Sequence, residues 1–155
     1  MKSNTSSLWA KVSITVPITK EKVWDVLTLP EITQRYMYNC QLHSSWELGS
    51  KAVWQEPLKD GSWQDHVVGE VLAYTPCEHL EIKIFHKAAE GKPAESSNLH
   101  FNLKSIAEGT ELIIKQGDFH VIPSGEKNYL SCQQGWEYVL PKLIETCKEM
   151  LDDER

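Results

Sequence analysis

An α+β fold, with a curved antiparallel sheet beneath one long C-terminal helix, is predicted by three features of this 155-residue chain. The stretch from Glu126 to Leu151 repeats its apolar residues with helical period. Most of what precedes it alternates polar and apolar residues between turn signals, as half-buried strands do. Two short helical segments interrupt that pattern directly after the first strand.

The long helix is the clearest element. At about 100° per residue, Tyr129, Cys132, Gln133, Trp136, Val139, Leu140, Leu143, Ile144, Cys147, Met150 and Leu151 fall on one face. Ser131, Gln134, Tyr138, Pro141, Lys142, Glu145, Glu149 and Asp152 fall on the other. At ~1.5 Å per residue the segment spans roughly 39 Å. Pro141 has no N–H for the carbonyl of Glu137, but it lies on the polar face, where water reaches that carbonyl. One helix, bent around what it covers, is therefore expected. If Trp136 anchors it, Trp136→Ala should cost about 3–5 kcal/mol.

The first strand is marked by Leu8, Ala10, Val12, Ile14 and Val16 on one side and Trp9, Lys11, Ser13 and Thr15 on the other; Pro17 ends it. Thr19 can cap a helix over Lys20–Leu27, with Val23, Trp24, Val26 and Leu27 inward. Pro30 suits the first turn of a second helix reaching about Tyr36. Strands are expected over Cys40–Trp46, Lys51–Glu56, Trp63–Tyr74 and His79–Phe85, with Asp60-Gly61 a strong hairpin signal. Lys87–Ser97 is polar, contains Gly and Pro, and is expected to be a mobile loop. Leu99, Phe101 and Leu103 then mark a strand, and Glu108-Gly109 turns into the last, Thr110–Gly117, with Leu112 and Ile114 inward. Short connections between successive strands imply an antiparallel meander in one domain, residues 1–155.

The composition narrows the function. A 41% hydrophobic, 25% charged chain is an ordinary globular one. Its net charge is −6, and only Arg35 and Arg155 are arginine, which argues against nucleic acid as a partner. Cys40, Cys77, Cys132 and Cys147 are widely spaced and form no C-x-x-C, so neither a disulfide framework nor a zinc site is expected. Met1–Ser7 is short and polar, and no run approaches a membrane span; a cytoplasmic protein is expected, in which the sequon Asn4-Thr5-Ser6 has no meaning.

No phosphate loop, G-x-G-x-x-G or G-x-S-x-G motif is present, so no cofactor and no catalytic residue is assigned. No two histidines have the close spacing of a helical zinc motif, and no metal ligand is assigned. His120, beside Phe119, is the one histidine to watch as an acid or base. Trp9, Trp46 and Trp63 are candidates for partial exposure, either as an interaction surface or as strand-edge packing.

The order of elements and several short motifs resemble the helix-grip superfamily (START-like, SRPBCC). Within it the chain is similar to the AHSA-like family, named for the activator of the heat-shock-protein-90 ATPase. The residues concerned are Ile18-Thr19-Lys20-Glu21-Lys22-Val23-Trp24, Leu29-Pro30-Glu31-Ile32, Gly69-Glu70-Val71, Thr75-Pro76, His79-Leu80, Gly109-Thr110-Glu111-Leu112 and Gly135-Trp136 with Leu140 and Leu143. The chain departs from the family at Tyr36-Met37-Tyr38, where a tryptophan is common, and at the lone Gly49, where paired glycines are. The resemblance places both sites at a pocket mouth. It implies a helix-grip fold with a cavity between helix and sheet, and a role in stress response.

Residues able to line such a cavity are Trp54, Phe85, Phe119, Tyr129, Cys132, Gln133 and Trp136. The alternative is that they are simply core. Gln133, polar on an apolar stripe, then bonds either a ligand or a nearby backbone group. The leading expectation is non-enzymatic binding of a small hydrophobic or aromatic molecule. The resemblance also implies two others: a chaperone-accessory or other protein-binding module, and a cyclase- or aromatase-like enzyme.

Overall fold

The computed structural model describes residues 7–86, 91 and 95–152. Seven strands, β1 (Ala10–Val16), β2 (Gln41–Ser44), β3 (Lys51–Pro57), β4 (Trp63–Thr75), β5 (His79–His86), β6 (Glu95–Ile106) and β7 (Gly109–Gly117), form one antiparallel sheet. Its order is β1-β7-β6-β5-β4-β3-β2. Strands β2 to β7 are the expected meander, and β1 returns to pair with β7, from Ala10↔Gln116 to Val16↔Thr110. The register shifts at Trp54/Gln55 and at Val71/Ala73, irregularities of the kind that bend and twist a sheet. With the long helix α3 (Gly125–Asp152) over it, this is the helix-grip arrangement.

Two short helices, α1 (Lys20–Thr28) and α2 (Pro30–Thr33), fill the corner after β1. Thr19 caps α1 by accepting from the Lys22 N–H at 3.3 Å. Helix α2 ends earlier than the sequence predicts. Beyond Thr33 the bonds tighten to i→i−3, Arg35 to Ile32 and Tyr36 to Thr33, and Tyr38 and Asn39 then take left-handed φ values of 52° and 61°. Gly109 has φ 141°, and a Cβ there would overlap the Val16 carbonyl oxygen, so this hairpin requires glycine.

Helix α3 runs unbroken through the exposed Pro141. Its N-terminus takes a carboxylate from β6: Glu95 accepts from the Ser124 N–H and hydroxyl and from Asn128. At the other end the Lys22 ammonium donates to the Met150 carbonyl at 2.8 Å. The predicted apolar stripe is buried or half-buried except Leu151, which is exposed, one residue from the helix end. Thr146 joins the buried side by donating its hydroxyl to the Lys142 carbonyl, which leaves no polar atom to solvate. The loop expected over Lys87–Ser97 is shorter, since β6 begins at Glu95; residues 87–90 and 92–94 lie outside the described residues, as does the sequon at 4–6.

Candidate functional site

Alternation along three adjacent strands builds the site. The inward faces read Leu80, Ile82, Ile84 and His86 on β5, Ser97, Leu99, Phe101 and Leu103 on β6, and Leu112, Ile114 and Gln116 on β7. The register sets Ile84 beside Ser97 and Leu99 beside Gln116, so all three rows turn polar at the same end of the sheet. The N-terminal half of α3 crosses that end.

A cavity of about 300 Å³ lies there, room for roughly ten waters at ~30 Å³ each. Trp54, Ile84, Leu99 and Val139 are its buried walls, and Cys132, Gly135 and Trp136 reach it from α3. The exposed Tyr38, Val67 and Phe85 stand at its mouth with His66 and Met37. Tyr38 stacks on Tyr138 of α3, with ring centroids 5.6 Å apart, and so ties the α2–β2 connection to the helix. A Cβ at Gly135 would stand 4.0 Å from the Tyr38 hydroxyl, in space the cavity now holds open.

The polar end of the cavity is a closed chain of bonds. The Gln116 side-chain oxygen accepts from Cys132 Sγ at 2.9 Å and from Trp136 Nε1 at 3.2 Å. Its nitrogen donates to Ser97 Oγ at 2.8 Å. Ser97 Oγ also lies 2.8 Å from His86 Nε2, so hydroxyl and imidazole share a hydrogen bond whose direction follows the imidazole tautomer. Burial pushes the His86 imidazole below its ordinary pKa, against a smaller upward pull from Glu95. Burial also pushes the Cys132 thiol up to about 12, so it is a neutral donor and not a nucleophile.

Of the residues selected from sequence, Trp54, Phe85, Cys132 and Trp136 line the cavity. Phe119, Tyr129 and Gln133 stand outside its lining. Phe119 is fully buried behind His86, with centroids 6.0 Å apart, and Tyr129 packs on it at 6.4 Å. Gln133 takes the alternative weighed for it: it accepts from the Lys11 N–H at 2.9 Å and donates to the Lys11 carbonyl and to Glu137. It fastens helix to edge strand. His120 is exposed and outside the lining; the histidines that line the cavity are His86 and, at the mouth, His66. Gln116, Ser97 and His86 were missed, although each continues the two-residue period of an apolar strand face, and that was the signal available. Met37 and Tyr38 are at the mouth where the resemblance implied; Tyr36 is core, donating to the Val26 carbonyl at 2.7 Å, and Gly49 is not in the lining.

Residues 17–148 match the family described as "Activator of Hsp90 ATPase homolog 1-like protein". The chain belongs to this family. No curated protein sequence matches it. Among solved structures, this AHSA-like chain is similar to protein MLL2253 from Mesorhizobium loti, with 21% identity, 95% of this chain and 98% of that chain covered and a TM-score of 0.68. It is also similar to ChR145 from Cytophaga hutchinsonii, at 24% identity, 94% and 97% coverage and a TM-score of 0.69. CalU16 from Micromonospora echinospora is 20% identical, with 93% and 78% covered and a TM-score of 0.64. Identities at this level establish the shared helix-grip fold. No helix among the described residues is long and apolar enough to cross a membrane.

Proposed function

We propose that this AHSA-like chain binds a small, flat, mainly apolar molecule in the cavity between α3 and the sheet without transforming it. The observation that carries the reading is a cavity with apolar and aromatic walls whose polar end is already satisfied. Both acceptor positions of the Gln116 oxygen are in use, and no buried side-chain polar atom among the described residues lacks a partner. A ligand therefore gains mostly from apolar burial, at about 25 cal/mol per Å² removed from water. At the polar end the His86 imidazole is a polar handle for a ligand, with Tyr38, His66, Asn128 and Ser131 elsewhere in the lining.

Amide and indole NMR shifts in the presence of a panel of planar aromatic and aliphatic probes test this. Movement concentrated at Trp54, Phe85 and Trp136 is expected. A panel that leaves those signals in place at millimolar concentration removes the binding role. A cyclase-like enzyme is the second reading, favoured by one observation: His86 is a neutral base held against a hydroxyl inside the cavity. His86→Asn would then abolish turnover of a bound probe while sparing its binding. The chaperone-accessory reading rests on the family description alone.

A further inference from the structure

The outward face of the same sheet carries a second constellation, unrelated to the cavity. His79 and Glu81, two residues apart on β5, point outward together, and Glu81 is directly opposite His100 on β6. One donor atom from each of the three lies within 4.8 Å of the others. We propose that His79, Glu81 and His100 bind a divalent transition-metal ion of the zinc class, leaving an open coordination position toward solvent.

Two observations support this. First, the spacing does not suit direct hydrogen bonds. His100 Nε2 is 3.6 Å and His79 Nε2 is 4.0 Å from the Glu81 carboxylate, and neither bonds to it. Ligands on a shared zinc, with arms of ~2.0–2.1 Å, stand roughly 3.3–3.4 Å apart, which small side-chain rotations reach from here. Second, the ligands have supports. Asn102 Oδ1 lies 2.7 Å from His79 Nδ1, which takes the proton and frees the Nε2 lone pair. Asn98 donates to Glu81 Oε2 at 3.0 Å.

Two imidazoles and a carboxylate suit zinc, cobalt or ferrous iron better than magnesium or calcium. All three ligands are only partly exposed, and the strand register, not a loop, holds them together. Titration of the full-length reduced chain with zinc chloride by calorimetry, and with cobalt(II) by visible absorption, is the test. One equivalent should bind. Glu81→Gln, which keeps an acceptor for Asn98, and His79→Ala should each weaken binding at least tenfold. Asn102→Ala should weaken it about 10–100-fold through His79, and His120→Ala should leave it unchanged. Circular dichroism of each variant separates lost ligation from lost folding. No binding up to millimolar zinc, binding indifferent to Glu81→Gln, or cobalt–thiolate absorption from the cysteines would each overturn the assignment.

Discussion

The two halves of α3 meet the sheet on different terms. In the C-terminal half Leu143 and Cys147 are 0% exposed and pack into the cluster that holds Val16, Val23, Leu80 and Leu112. In the N-terminal half Tyr129, Cys132 and Trp136 are only half-buried, and the strand ends they face carry His86, Ser97 and Gln116. One half is close-packed, where any lost methylene is felt. The other spans a cavity and is held by a few directional bonds. The same helix therefore closes the core at one end and roofs a binding space at the other.

The largest effect expected is on the packed half. Leu143→Ala should lose about 3–5 kcal/mol in urea unfolding, the range for a fully enclosed leucine, with probe binding in the cavity retained. Trp136→Ala should lose about 2–3 kcal/mol, less than the sequence implies, because part of the ring faces the cavity and not other atoms. It should also weaken probe binding. Equal losses at the two positions would erase the distinction between the halves.

Gln116→Leu sharpens the comparison. It strands the donors of Trp136 and Cys132, and urea unfolding should show a loss of about 1–3 kcal/mol. A neutral result would mean that the polar end contributes packing alone.

The smallest effect is the pH dependence. The His86 imidazole titrates lower folded than its unfolded value of ~6.5. Below that value the unfolded chain binds the extra proton, so stability is full above it and falls with pH until the folded pKa is passed. His100 acts in the same direction. The urea midpoint should therefore drop between pH 7 and pH 5, and His86→Gln should remove part of the drop. A flat profile would mean that His86 is not desolvated.

Much of the fold was legible because its signals are local. The stripe on α3 needs only the 3.6-residue period, and the seven strands need only a two-residue period and their turns. Four of the seven residues chosen for the cavity line it: Trp54, Cys132 and Trp136 because helix and strand periods turn them inward, and Phe85 because it stands exposed at the mouth. The other three show the limit: Phe119, Tyr129 and Gln133 lie on the correct faces but beyond the end of the cavity.

Periodicity in the chain settled which side of each strand and of α3 turns inward, since that depends only on neighbours a few residues away. Where those faces meet was left to the tertiary structure. Leu99 beside Gln116, Ile84 beside Ser97 and Glu81 opposite His100 are register relations between distant residues. A shift of one residue in any strand would turn its whole inward row to solvent. The cavity's polar end and the histidine–glutamate cluster on the outer face both exist because the buried core selects one register.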